Sequence, residues 1–373
     1  MNIKIETLTP VHIGSGNLLL YNTDFFDVVT LKTGKRFLRV IDDHKILALI
    51  GIDNVQKWVL SIEKGQNIKE FLKVYAPDAK PEDYSKRHIA FYGDKYFEKK
   101  DTLKECIHNG MGLPYIPGSS IKGALRTAVT ATLAKRTAKL DDKVKNRFGE
   151  FEGAILEKCL FGSDPNHDIF RFLQCGDAYF PIGSEVAFLL QMFLNITHND
   201  SLQQKEDIKP QFIEALRTGL KTEFQFKLNK GYYDWIKKQN PSAVGNLPNE
   251  MSDIAKLFKL VNEHTLTLVE QEVDFWSEQE KSGAESYVEQ MMKMAKAIRQ
   301  ELDNGNKSCI LRIGHAVGWD FITGGWARNL TDFEMVINKS RPDEERYYID
   351  YPFPKSRRLD SKSNIIGFVK LTN

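Results

Sequence analysis

The chain has 373 residues, 42% hydrophobic and 27% charged, with 52 Lys and Arg against 50 Asp and Glu for a formal net charge of +2. This balance is ordinary for a soluble globular protein and excludes a disordered, collagen-like or membrane-embedded chain, while the length calls for two domains or one domain with a large insertion. A near-neutral total neither favours nor excludes nucleic acid as a partner, so the placement of charge has to decide.

Residues 2–8 alternate apolar and polar side chains, which predicts a strand and lacks the continuous apolar core of a secretory signal; a cytoplasmic protein is expected. Thr9-Pro10 closes that run ahead of the glycine turn Pro10-Val-His-Ile-Gly-Ser-Gly16. Phe25–Val29 and Arg36–Ile41 alternate around Gly34 and predict a hairpin. Residues 42–108 are mixed, with helical stretches near 44–50 and 67–75, a loop at Pro77 and Pro81, and no chemical signal. The longest apolar run, Val186–Leu194, is interrupted by Gln191 and falls far short of the roughly 20 residues needed to cross a bilayer. Cys106, Cys159, Cys175 and Cys309 lie far apart without a Cys-x-x-Cys pair, so they predict buried thiols, not a zinc site or a disulfide framework. The spacing of Asp24, Asp27, Asp42 and Asp43 fits no ligand set, and neither a metal nor a cofactor is expected.

Pro114–Ser120 then punctuates the chain, and Ile121, Ala124, Leu125, Ala128, Val129 and Leu133 recur at helical spacing, which predicts a helix from 119 or 120. Between Gly118 and Gly149, eight basic residues (Lys122, Arg126, Lys135, Arg136, Lys139, Lys143, Lys145, Arg147) face two acids, Asp141 and Asp142, a local excess of six positive charges. Such a block suits a phosphate backbone, and it also suits a solvated helix face. At its start Gly118 permits an unusual backbone angle, Ser119 or Ser120 can cap the helix, and Lys122 and Arg126 stand one turn apart on one face. Together these make a candidate anion site, although a plain capped helix with two surface cations has the same residues. The Gly-x-x-x-x-Gly-Lys-Ser/Thr spacing of a P-loop is absent.

Phe170–Phe180 reads as a strand and Pro181-Ile-Gly183 as the hinge to a second domain, dividing the chain into 1–183 and 184–373. Glu223–Leu228 alternates as a strand. The stripes Ile254, Leu257, Phe258, Val261, Leu268, Val269 and Ala284, Val288, Met291, Ala295, Ile298, Leu302 predict a helical hairpin inserted at about 248–305, its methionines core filler. A strand returns at Ser308–Ile313, a glycine-rich stretch follows from Gly314 to Trp326, and the chain ends in a strand over Ile365–Leu371. These elements make an α+β protein.

Two further segments could carry chemistry. In Arg312–Trp326, Gly314, Gly318, Gly324 and Gly325 allow close backbone approach, Trp319, Phe321 and Trp326 could stack on bases, and Arg312 could meet a phosphate; a turn with tryptophans in the core is the other reading. Pro352-Phe-Pro-Lys-Ser-Arg-Arg358 is a stiff basic loop in which Lys355, Arg357 and Arg358 supply charge. His12, beside Gly14, Ser15 and Gly16, is the residue best placed for general acid or base work, but no second histidine accompanies it at a telling spacing.

Pro10–Gly16, Ile116-Pro-Gly-Ser-Ser-Ile-Lys-Gly-Ala-Leu-Arg126 and the late glycine loop together resemble the RAMP superfamily of CRISPR-associated proteins. With Pro354-Lys-Ser-Arg-Arg-Leu359 and the helical insertion, the chain looks most like the subunit that caps the guide RNA (crRNA) 3′ end in the type III-A Csm complex. The resemblance implies two tandem ferredoxin-like, RRM-type domains with the insertion in the second. It implies guide binding through the glycine loops and the basic helix, docking on the repeating backbone subunit and other Csm subunits, and no membrane. It further implies a part in antiviral defence and in 3′ maturation, with cellular nucleases recruited for the latter and no nuclease site of its own. Backbone subunits of the family cut target RNA with an aspartate after the first strand; Asp24 falls in a comparable region, but Tyr21-Asn-Thr-Asp-Phe-Phe26 departs from that pattern and the activity is not carried over. His315-Ala-Val between Gly314 and Gly318 also alters the usual glycine loop. The alternatives are a metal-independent endoribonuclease cutting repeat RNA with His12, and a protein-interaction module whose basic block binds acidic partners.

Overall fold

A computed structural model describes residues 1–30, 33–146, 152–195, 211–279, 284–340, 353–354, 356–360 and 362–373. Two sheets carry the chain. In the first, strand Asn2–Thr7 buries Ile3, Ile5 and Thr7 and turns Asn2 and Lys4 outward, as its period of two requires. It lies in the middle of five antiparallel strands in the order Ser308–Arg312, Phe368–Thr372, Asn2–Thr7, Lys221–Leu228, Leu173–Cys175. The helix Gly118–Arg136 packs Ile121, Leu125, Ala128 and Val129 into the core beneath this sheet, beside Leu257, Phe258 and Val261 of the helix Ile254–Glu278.

The second sheet has seven strands along its path: Gly14–Leu20, Thr102–Cys106, Gln211–Leu216, Glu185–Asn195, Ser85–Tyr92, Arg36–Ile41 and Phe25–Val29. An eighth, Ser356–Asp360, pairs with the far half of Glu185–Asn195. Two of its pairings are parallel, Glu185–Asn195 with Ser85–Tyr92 and Gln211–Leu216 with Thr102–Cys106. Short helices Asp43–Ile50, Val55–Glu63 and Ile68–Tyr75 cover Phe26, Ile41 and Tyr84. Both sheets draw strands from either side of residue 183, so Pro181–Gly183 is a turn into Glu185–Asn195 and not a border between sheets.

The helical hairpin, Ile254–Glu278 and Ala284–Asp303, stands where the sequence stripes place it, with Met291, Ala295 and Ile298 buried. Asn262 ties it to the first sheet, donating to the Ser308 carbonyl at 2.9 Å and accepting from the Ile310 amide at 3.0 Å. Phe170–Phe180 is not one strand. A 3-10 turn at Ile169–Phe172 leads to Leu173–Cys175, the chain breaks at Gly176, and Ala178–Tyr179 pairs instead with Tyr115–Ile116. The break makes room for the start of the long helix, because a Cβ on Gly118 would lie 2.1 Å from the Cys175 carbonyl oxygen. The glycine-rich stretch likewise forms 3-10 turns, Trp319–Phe321 and Thr323–Asn329. No described helix is long and apolar enough to cross a membrane.

Candidate nucleic-acid interface

Residues 8–13 leave the first sheet and enter the second, and along that path every neighbouring motif is hydrogen-bonded to them. The Gly367 amide donates to Pro10 at 2.8 Å, Val11 exchanges bonds with Leu216 at 3.0 and 2.8 Å, the His315 amide donates to His12 at 2.9 Å, and the Ile107 amide donates to Ile13 at 2.8 Å. Gly314 has φ +93°, and a Cβ there would stand 2.4 Å from the His12 carbonyl oxygen, so only glycine lets the late loop lie against the early one. Two glycine motifs some three hundred residues apart in sequence thus form a single seam between the sheets.

His12 itself is 3% exposed, and its Nδ1–H donates to the Glu214 carbonyl. Burial lowers its pKa, keeping it neutral, and its ring meets that of His315 edge-on at 5.5 Å. A nucleic-acid hydroxyl has no access to so enclosed an imidazole, which removes the geometric basis for His12 as a nuclease base. Ser15 donates to Glu105 at 3.0 Å, and Gly14, Ser15 and Gly16 are exposed. Behind them, Glu105, His108 and Glu214 bring ligand atoms within 4.8 Å of one another. Arg87 already joins Glu105 at 3.0 Å to Glu214 at 2.9 Å, and His108 meets Glu185 at 2.8 Å, so these carboxylates already have partners within the protein.

On the open side of the seam two cations, Lys104 and Arg358, come together. Lys104 Nζ lies 3.4 Å from His315 Nε2, and Arg358 donates to Gln211 Oε1 at 3.1 Å. Burial lowers the pKa of Lys104, with Arg358 adding repulsion. Burial also pushes His315 down to about 4, helped by Lys104, His12 and Arg358. Lys104 has no motif around it; in Thr102–Cys106 it is one polar residue of an ordinary alternating strand, and sequence reasoning missed it.

The helix start differs from its expected form. Pro117 occupies the N-cap in place of Ser119 or Ser120, the Gly118 amide donates to Asp177 Oδ1 at 2.8 Å, and the Ser120 amide turns back to Pro117 at 2.9 Å. A protein carboxylate therefore holds the first free amide. Ser119 is exposed, Ser120 and Lys122 are half-buried, and Lys122 has no ion pair among the described residues.

Arg126 does not share a phosphate with Lys122. Its guanidinium binds Glu157 at 2.8 Å and Asp168 at 2.8 Å and stacks on Phe161 and Phe170. Arg312 is buried as well, donating to the Ile366 carbonyl at 2.9 Å between Phe321 and Phe368. Arg357 pairs inside the protein with Glu272 at 2.6 Å. Phe321 and Trp326 belong to the core, while Trp319 is half-buried beside Phe333 and Phe353. Gly324 and Gly325 make room for Trp319 and for the Asp320 carbonyl, so they serve packing and not a ligand; Gly318 opens the first 3-10 turn. Asp24 accepts from the Leu20 amide within its turn. Lys355 and Arg147 lie outside the described residues.

Comparison with known proteins places this geometry. A model of the RAMP superfamily matches residues 4–315. The chain is 29% identical over 198 residues to the CRISPR system Cms protein Csm5 of Methanocaldococcus jannaschii, a stretch covering 48% of this chain and 42% of that one, so the match spans under half of the relative's length. Among solved structures, a chain of the Csm-crRNA-target RNA ternary complex of a type III-A CRISPR-Cas system superposes with a TM-score of 0.69 at 20% identity, over 100% of both chains. T. onnurineus Csm5 superposes with a TM-score of 0.60 at 20% identity, over 98% of this chain and 99% of that one.

Proposed function

The chain belongs to the RAMP superfamily, and on that footing we propose that it is a guide-RNA-binding structural subunit of a type III-A CRISPR effector complex. It caps the 3′ end of the crRNA, supports its maturation, and docks on the repeating backbone subunit and its neighbours; the trimming itself is left to nucleases recruited from the cell. The two sheets are the cores of its two ferredoxin-like units, and the helical hairpin is an insertion packed on the first of them. The single observation that carries this reading is the seam: loops at Pro10–Gly16 and Gly314–Gly318 joined by backbone hydrogen bonds, with Lys104 and Arg358 beside them free of carboxylate partners among the described residues, as is Lys122 at the start of the long helix. A surface with that charge suits a single strand's phosphates, and its glycines let backbone come near them.

The test is a titration of the purified protein with labelled single-stranded guide RNA over a range of salt. Each phosphate neutralised on a single strand adds about −0.7 to the slope of log K against log salt, and Lys122→Gln reduces the magnitude of that slope by about 0.7. Binding that ignores salt, or a slope unchanged by Lys122→Gln, overturns the assignment. Cleavage of repeat RNA in EDTA that disappears in His12→Ala would establish the endoribonuclease reading instead.

A further inference from the structure

Four separate segments bring basic side chains to one point of the seam: His12 from the early loop, Lys104 from Thr102–Cys106, His315 from the glycine loop and Arg358 from Ser356–Asp360. We infer that Lys104, His315 and Arg358 form a pocket for one phosphate group of a bound RNA strand, with His12 as its rear wall. This rests on the RNA-binding reading above and adds to it a specific anion site, two of whose members, Lys104 and His315, no sequence motif assigned to phosphate.

The case begins with the carboxylates around the pocket, each of which is engaged elsewhere. Glu105 is held by Arg87, Ser15 and Asn17. Glu214 is held by Arg87 and by the Cys106 amide at 3.0 Å. Asp360 accepts from the Lys362 and Asn364 amides, each at 2.8 Å. Among the described residues the Arg358 guanidinium donates to the neutral side chain of Gln211 and has no carboxylate partner. Burial is the main cause of the lowered pKa values of Lys104 and His315, and the repulsion among the neighbouring cations adds to it. The remedy is an anion from outside. Lys104, His315 and Arg358 are each half-buried, open enough for a ligand oxygen to reach and dry enough for the contact to be strong.

His315 gives the pocket a signature. Burial, with cations and no carboxylate facing it among the described residues, keeps it neutral at pH 7 when the site is empty. A phosphate replaces that repulsion with attraction, so its entry draws a proton onto the Nε2 that faces Lys104. If binding returns His315 to an ordinary value near 6.5, affinity rises about tenfold between pH 7.5 and 5.5.

The experiment measures fluorescence anisotropy with a labelled single-stranded RNA across that pH range, for the full-length chain and for Lys104→Gln, Arg358→Gln and His315→Gln, each checked for an unchanged melting curve. Support is affinity that increases as pH falls in the parent, a flat profile in His315→Gln, and weaker binding with a smaller salt slope in each of the other two, the two together removing about 0.7. Binding with the parent's pH and salt profiles retained in all three variants overturns the pocket and leaves the RNA reading standing. Should the parent bind no RNA, the RNA reading fails, and so does a pocket for its phosphate. NMR of the ¹³C-labelled His315 ring during titration with inorganic phosphate then distinguishes a site for some other phosphate, which raises the ring's pKa, from no anion site at all.

Discussion

Glu272→Gln is the substitution whose consequence the structure fixes most tightly. Glu272 and Arg357 are each 7% exposed, joined at 2.6 Å through the arginine Nε with a second N–H on the other oxygen. Tyr287 donates its hydroxyl to the same carboxylate, and Arg312 lies close enough for its charge to lower the Glu272 pKa. One carboxylate thus offsets two buried guanidinium groups, since the neighbouring Asp320 is bound to Arg328. The amide keeps the shape and removes the charge, leaving Arg357 and Arg312 without their counter-ion, at a cost of about 3–5 kcal/mol. Urea unfolding followed by tryptophan fluorescence measures it, with Trp276 as a local reporter 5.6 Å from the Arg357 guanidinium. Adding Arg357→Met to Glu272→Gln recovers part of the loss, because the second change removes the stranded charge. Arg357, with Tyr287 and Arg312, holds the Glu272 carboxyl below the usual range. Its contribution is therefore present above the unfolded carboxylate pKa and disappears as pH falls through the folded one, so the variant loses less stability in acid than the parent. A shift under about 1 kcal/mol at neutral pH, or an acid limb identical to the parent's, refutes the reasoning. The salt slope of RNA binding stays as in the parent, since neither arginine reaches the seam.

Arg126→Met removes contacts to Glu157 and Asp168 and costs about 2 kcal/mol in urea, with no change in the RNA salt slope. Gly118→Ala pushes a methyl against the Cys175 carbonyl and lowers stability by about 1–3 kcal/mol, read from the urea midpoint. Asn262→Leu strands the Ser308 carbonyl and the Ile310 amide and costs about 2 kcal/mol; hydrogen exchange at Ile310 accelerates more than at Ile3 in the middle of the same sheet.

Elements with a clean period were legible in the sequence. The strand Asn2–Thr7, the hairpin of Phe25–Val29 with Arg36–Ile41, and both long helices of the insertion stand within a few residues of where alternation or four-and-three spacing puts them. Ser85–Tyr92 and Thr102–Cys106 were missed because their parallel partners lie about a hundred residues away, and such pairing leaves no mark on local sequence. At the site, the two glycine motifs were visible and their contact was not. Lys104 was invisible for the reason that Arg126, Arg312 and Arg357 were conspicuous: a cation in a motif attracts notice whether or not a carboxylate waits for it in the fold.

That asymmetry has a chemical cause. A guanidinium offers a flat fork of donors that meets a carboxylate in pairs and stacks on rings, so it can be buried where an ammonium cannot. Arg87 between Glu105 and Glu214, Arg126 on Phe161 and Phe170, and Arg357 on Glu272 beside Trp276 all use it that way. Lys104 and Lys122 carry compact charges on long stems and remain half-exposed without ion pairs among the described residues. A chain of net charge +2 can therefore present positive charge at the seam, because several of its buried acids are paired with arginines while Lys104 has no ion pair among the described residues. The salt slope of RNA binding then follows the few unpaired cations of the proposed RNA surface and not the whole of the 118–149 block, so neutralising exposed Lys135 leaves it unchanged while neutralising Lys122 does not.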